Sequence, residues 1–320
     1  MLVKKNSFLP FFVPFYHLVS DEDVIHVKHL YKYKNTNQFI EDLDYLARKF
    51  TPISLLDLRD RIKSGKQPKK GSFLLTFDDG YSQAYEVVAP ILLRKGIPAA
   101  FLLNSKFIDN RDLCYLNKKS LLIDYYAKNR DESSARMKRA GTVTKKDSLE
   151  WFRERVLAIK YREKSILDEI AGIFEVDFRH YLKTEKPYLG REQIEGLIQS
   201  GFHIGAHSVD HPIYSELGLD EQINQTLTSV NHIRNEFGLN YSVFAFPHND
   251  THVSRRFFMS IADFVDLTFG TNGVMRDTIP FNIQRINFEK NQRHARTILI
   301  RKLIKGSIYR LLNKGLIYRE

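Results

Sequence analysis

The sequence predicts an α/β protein built on parallel strands, and three observations carry that expectation. Short apolar runs of strand length alternate with longer segments whose apolar residues recur at helical spacing. Gly and Pro punctuate the joins, as at Gly96-Ile97-Pro98. The 320 residues are enough to bury a full core within one α/β domain. Strictly alternating elements place parallel strands inside and helices outside.

Taken in order, residues 73–77 read as a buried strand that runs into Asp78-Asp79-Gly80. Ser82 is placed to cap a helix carrying Val87, Val88, Ile91 and Leu92, and residues 99–103 form the next strand. A helix over 191–199 precedes a strand over 202–206. A longer helix over 221–237, with Ile223, Leu227, Val230 and Ile233 on one face, leads to a strand over 242–246. Residues 253–262 and 265–269 repeat the unit. Between Asn110 and about Lys186 the rhythm breaks into a polar, charged segment, helical around 121–127 and 149–173. A long insertion after a strand of such a sheet is expected to be either a wall of the active-site rim or a solvated helical bulge. The expected division is thus residues 1–290 as the main domain, interrupted at about 110–186, and residues 291–320 as a basic amphipathic tail.

Composition narrows the function classes. Cys114 is the only cysteine, which rules out an internal disulfide and a Cys-rich zinc site and suits a reducing compartment. The N-terminal residues 1–14 carry a charge and an apolar run, but Pro10 and Pro14 break that run and no small-residue cleavage site follows, so mature sequence is expected. No apolar stretch reaches the roughly 20 residues that span a bilayer. The net charge of +11 and pI near 9.4 suit a polyanion. No nucleic-acid recognition motif accompanies that charge, and no nucleic-acid partner is expected. Basic residues gather between Arg293 and Arg319, beside apolar residues at helical spacing. That pattern predicts a cytoplasmic protein able to touch an anionic membrane through its tail.

Chemistry is concentrated in two places. Asp78 and Asp79 sit where a strand ends, so their carboxylates splay and can take different roles. His207 and His211 are four residues apart, a spacing that predicts two imidazoles on one side of a helical turn. Two histidines and one carboxylate make an open three-ligand metal site, suited to zinc and also to other first-row metals. The same donors occur in non-haem iron oxygenases, although usually on a jelly roll, which alternating helices and strands do not build.

These residues resemble the polysaccharide deacetylase family, also called the NodB-homology domain. Thr76-Phe77-Asp78-Asp79-Gly80 matches its first motif, and His207-Ser208-x-x-His211 its second. Phe244-Ala245-Phe246-Pro247-His248-Asn249 is similar to its third, proline-centred loop. The resemblance runs from about Phe15 to about Phe288 and implies a distorted (β/α) barrel with a helical insertion. It implies a metal-dependent hydrolase that removes an N-acetyl or related acyl group from an amino sugar in a glycan or lipid-linked precursor. Asp79, His207 and His211 become the expected metal ligands, with Zn2+ the expected ion. Asp78 becomes the general base, Arg285 its partner cation, and Pro247 and His248 the lining of the substrate groove.

The chain departs from the pattern in two ways. Ala245 and His248 stand where stricter members carry arginine and tyrosine. The late Leu-x-x-x-His motif that supplies a proton donor has no counterpart in residues 281–288. A branch of the family opens with Tyr-His-x-Val, which Tyr16-His17-Leu18-Val19 resembles, and this implies that His17 stands in the active site as the acid or a substrate-binding group, rather than as a satisfied core histidine. The alternative is a catalytically inactive, carbohydrate-binding member of the same fold.

Overall fold

The computed structural model describes residues 10–141, 148–289, 292–312 and 314–320. The expected start of the mature chain and the expected boundary at 290–291 lie outside these residues. The chain divides into two compact units. One holds residues up to Asp21, Tyr33–Asp109 and Tyr188–Glu320, and the other holds Glu22–Lys32 and Asn110–Pro187.

The first unit opens with β1 (Val13–Tyr16), α1 (Thr36–Lys49), β2 (Thr51–Pro52), α2 (Leu55–Lys63), β3 (Ser72–Phe73) and β4 (Leu75–Phe77). A π-helical stretch, Ala84–Val88, runs into α3 (Ala89–Lys95), and β5 (Ala99–Leu103) follows. The helix expected after Ser82 therefore begins with a widened turn. Strands β1, β10, β8, β7, β6, β5 and β4 close in that order into a barrel, where β6 is His203–Ala206, β7 Val243–Ala245, β8 Leu267–Gly270 and β10 Asn282–Asn287. All seven pairings are parallel, which is what the alternation predicts, and closure gives the barrel that the resemblance implies. The outer helices of the later part are α9 (Arg191–Gln199), α10 (Leu219–Glu236) and α11 (Arg255–Ile261).

Alternation along the strands separates two apolar clusters. Tyr16, Phe77, Phe101, Ile204, Phe244 and Ile286 face the helices and join Phe39, Leu43, Ile91, Leu197, Ile233 and Phe257. Val13, Ala100, Leu102, Val243, Ala245, Leu267 and Phe269 cluster with Leu55 and Leu58 of α2. Each large side chain so buried contributes about 1.5–3 kcal/mol. Gly205 serves the second cluster, since a Cβ there would run into Leu102 and Val243.

The last part of the chain packs on this unit. Helix α12 (Ala295–Leu311) buries Ala295, Ile298 and Leu299. After it, β11 (Leu316–Ile317) pairs with β9 (Arg276–Asp277), and the Arg319 guanidinium is buried against Asp250 and Asp277.

The second unit contains α4 (Tyr115–Lys128), α5 (Arg130–Arg139), α6 (Leu149–Ala158), α7 (Ser165–Phe174) and α8 (Phe178–Glu185). The helical stretch expected around 121–127 lies within α4, and the one expected over 149–173 is broken into α6 and α7 by a polar turn. Tyr126 stacks on Phe152 at 4.2 Å, and Phe174 lies 5.6 Å from Phe152. Residues 22–32, which the sequence assigns to the barrel domain, belong to this unit. They are tied in by Asn117 donating to the His26 carbonyl and by Asp124 pairing with Lys28.

Candidate active site

The functional side chains collect where barrel strands end at their carboxyl termini, as α/β barrels generally arrange them. Asp78 follows β4, and its amide N–H donates to the Tyr16 carbonyl at 2.9 Å. The backbone then turns through left-handed conformations at Asp79 (φ 71°) and Gly80 (φ 71°). Only glycine adopts this region freely, so Gly80 lets the chain reverse while the two carboxylates diverge.

His207 follows β6, with its N–H donating to the Leu103 carbonyl at 2.8 Å. The expected helical turn between His207 and His211 does not form. Ser208 (φ 70°) and His211 (φ 64°) are left-handed, and the segment is a tight loop. Ser208 explains why it is stable: its Oγ accepts the His211 N–H at 3.0 Å and an Asn104 Nδ2–H at 3.2 Å. Asn104, at the end of β5, also donates to the His207 carbonyl. The histidines converge because a hydrogen-bonded loop folds back, with ring centroids 5.1 Å apart.

Asp79, His207 and His211 bring their donor atoms within 4.8 Å of one another. Two donors each about 2.1 Å from a tetrahedral zinc ion lie roughly 3.4 Å apart. Asp79 Oδ1 is 3.5 Å from His207 Nε2 and 3.3 Å from His211 Nε2. That oxygen is buried and makes no hydrogen bond, as expected of an atom shaped for a ligand. His207 Nδ1 donates to the Ala245 carbonyl at 2.9 Å, which fixes the tautomer and leaves Nε2 as the coordinating nitrogen. Burial lowers the His207 pKa to about 4, so the ring is neutral near pH 7. The three residues fit a divalent ion.

Asp78 is held beside them by Arg285, which is fully buried in β10. The guanidinium binds both carboxylate oxygens, at 2.6 and 2.7 Å, and lies over the Phe15 ring at 4.6 Å. Burial alone would raise the Asp78 pKa, but Arg285, with His207 beside it, holds the carboxyl below its usual range. Each oxygen keeps a lone pair outside the fork.

His17 follows β1. Its Nδ1 lies 2.6 Å from Glu289 Oε2, and Glu289 Oε1 accepts the backbone N–H groups of His17 and Leu18, both at 2.8 Å. Burial would lower the imidazole pKa, but the Glu289 carboxylate, by charge and by hydrogen bond, with Asp79 and Asp78 behind it, raises it to about 9.

Pro247 is buried in the loop after β7, while His248 is exposed at φ 57° with its ring 4.7 Å from that of His211. The His248 carbonyl accepts from Thr271 Oγ1 at 2.9 Å. Below the loop, Asp250 accepts from Asn282, Gln284 and Arg319.

The structure thus gathers Asp78, Asp79, His207, His211 and Arg285, sets His248 against His211, and locks His17 to a carboxylate the sequence did not single out. Glu289 lies directly after the stretch searched for a late histidine, and an acid following the last barrel strand was the available signal. Asn104 and Asp250 also escaped notice. Each acts through hydrogen bonds that a motif does not display. His203, at the start of β6, has its ring 5.9 Å from that of Tyr241.

The polysaccharide deacetylase family profile matches residues 65–259. No curated protein sequence matches the chain. Among solved structures, it is similar to a de-N-acetylase from Aggregatibacter actinomycetemcomitans (TM-score 0.57, 13% identity, 91% of this chain and 99% of that one). It is similar also to the Streptococcus pyogenes deacetylase PplD in complex with acetate (0.55, 14%, 92% and 97%). A third is IcaB from Ammonifex degensii (0.53, 14%, 88% and 93%). At such identities the likeness is one of fold.

Proposed function

This chain belongs to the polysaccharide deacetylase family, and on that premise we propose that its barrel hydrolyses the N-acetyl group of an amino sugar in a glycan, free or carried on a lipid, with zinc as the resident ion. The observation that carries the proposal is the donor spacing of Asp79, His207 and His211 beside an Asp78 carboxylate clamped by Arg285.

An ion held by those three residues would supply Lewis acidity, activating water and polarising the acyl carbonyl. In this reading Asp78 takes the proton of the attacking water, supported by the Arg285 contact that keeps it ionised and oriented. As the C–N bond breaks, the departing amine needs a proton. His17 carries one at neutral pH because Glu289 stabilises the imidazolium, and with Nδ1 committed to Glu289, Nε2 is the donor. The balance is one water consumed, with acetate and the free amino sugar formed. Pro247 and His248 line the groove for the sugar.

The test measures bound metal and acetate release from N-acetylated glycan oligomers on the same preparation. About one divalent ion per chain and acetate release that stops on chelation are expected. His207→Ala should lose both. Metal binding without turnover on any acetylated glycan would favour the carbohydrate-binding alternative, and turnover that survives thorough chelation would overturn the mechanism.

A further inference from the structure

Helix α12 is apolar on two opposite sides. Its inner side buries Ala295, Ile298 and Leu299, and continues along the same side through Leu303 and Gly306. Its outer side presents Ile300 (43% exposed), Ile304 (56%), Ile308 (48%) and Leu311 (84%). At 100° per residue these four fall within an arc of about 80°, roughly opposite the buried side. A row of four large aliphatic residues on one exposed helix face is more than the scattered apolar exposure of ordinary surfaces.

The helix is secured at both ends without the outer row. At its start the Ala295 N–H donates to Asp42 Oδ1 at 2.5 Å, and Asp42 is paired with buried Lys34 and accepts from the Tyr16 hydroxyl at 2.9 Å. Beyond its end, β11 pairs with β9 and Arg319 is buried between two carboxylates. Ile304 and Ile308 are thus displayed by a helix whose docking does not need them.

The flanks identify the partner. Arg296 lies on one side of the row and Arg301 and Lys305 on the other, all exposed. The sequence from Arg293 to Arg319 contains no acidic residue. A second copy of this chain would bring the same positive flank against itself, and a nucleic acid offers little to an aliphatic stripe. An anionic bilayer satisfies both features, taking the aliphatic side chains into its acyl boundary and the cations at its headgroups.

We propose that the outer face of α12 is a docking surface for anionic membrane, holding the barrel at the lipid surface as a peripheral protein. The inference stands apart from the catalytic assignment, because none of these residues belongs to the site. Full-length protein should co-sediment with vesicles of equal parts phosphatidylglycerol and phosphatidylcholine at low salt, and should leave them as salt rises. The double variant Ile304→Asp, Ile308→Asp should reduce partitioning at least tenfold. Arg301→Ser with Lys305→Ser should reduce it roughly 25-fold, at about fivefold per surface-adjacent cation. An unchanged melting temperature and metal content in both variants would show that the fold is intact. Equal binding to pure phosphatidylcholine, undiminished binding by either variant, or a wild-type dimer that the aspartate variant dissociates would overturn the proposal.

Discussion

His17 and His26 leave the same connection after β1 and end in different units, where their proton affinities move in opposite directions. His17 is partly exposed beside Glu289, with Asp78 and Asp79 close behind, and its pKa rises to about 9. His26 is 4% exposed in the helical unit, its Nδ1 2.8 Å from the Tyr181 hydroxyl, and burial lowers its pKa to about 4. Residue type and chain position hardly distinguish the two. Carboxylates crowd the ends of the barrel strands, and each needs a cation: Asp78 has Arg285, Glu289 has His17, and Asp79 would have the ion it shares with His207 and His211. In the helical unit the buried histidine is a neutral packing group. The contrast separates a place of paired, buried charges from one built for cohesion.

The sharpest way to break this comparison is to remove charge from the barrel without removing a ligand. Asp78→Asn keeps the shape of the carboxylate and leaves Asp79, His207 and His211 intact, so metal content should be preserved. Turnover should fall ~10²–10⁴-fold, the usual cost of losing a general base. Near-normal turnover would reduce Asp78 to a counter-ion for Arg285.

A smaller effect is expected at the His17 and Glu289 pair. His17→Ala should lower turnover by about 100-fold, and Glu289→Gln by less, since the imidazole remains. The pH profile distinguishes catalysis from packing. With the imidazole pKa raised to about 9, the proton-donating form persists through neutrality and activity should decline as pH rises through about 9. The same raised value means that the pair stabilises the fold fully below the ordinary histidine value near 6.5, and that this contribution fades as pH climbs through 9. Glu289→Gln should move the alkaline limb of activity to lower pH. A variant that melts earlier while its limb stays in place would make the pair structural.

What the sequence made legible follows the range of each interaction. The strand ending in Asp78-Asp79-Gly80 is local, and apolar alternation, turn residues and the acid pair all lie within a few positions of one another. Strand β5 and helix α9 were readable with their observed bounds for the same reason. The histidine spacing was legible as chemistry and misleading as geometry, because the left-handed residues Ser208 and His211 make a loop where four-residue spacing suggests a helix. Arg285 was recognisable only through family resemblance, since its strand carries alternating polar residues and does not read as apolar. Glu289 reaches His17 across 272 residues of chain, and Arg319 reaches Asp250 across 69. No local pattern encodes such pairings; closing the barrel creates them. The recruitment of residues 22–32 into the helical unit is equally non-local.

The smallest effect on turnover is expected at His26, and it tests the other half of the comparison. Its folded-state pKa near 4 lies below the ordinary value of about 6.5, so the unfolded form of this segment binds the proton first as pH falls. Stability from the neutral ring is complete above about 6.5 and is lost as pH drops toward 4, by on the order of 3 kcal/mol across that interval. Trp151, the only tryptophan of the chain, lies on α6 of the same unit and reports on its packing. Acidification from pH 6.5 to 4 should therefore change Trp151 fluorescence, and His26→Gln, which cannot take up the proton, should flatten that change while turnover near neutral pH stays within about twofold of wild type. Only a fluorescence transition inside this interval fits a histidine kept neutral by burial. A flat signal in the unmodified protein would mean that His26 takes its proton without loosening the unit, and the contrast with His17 would then be one of degree.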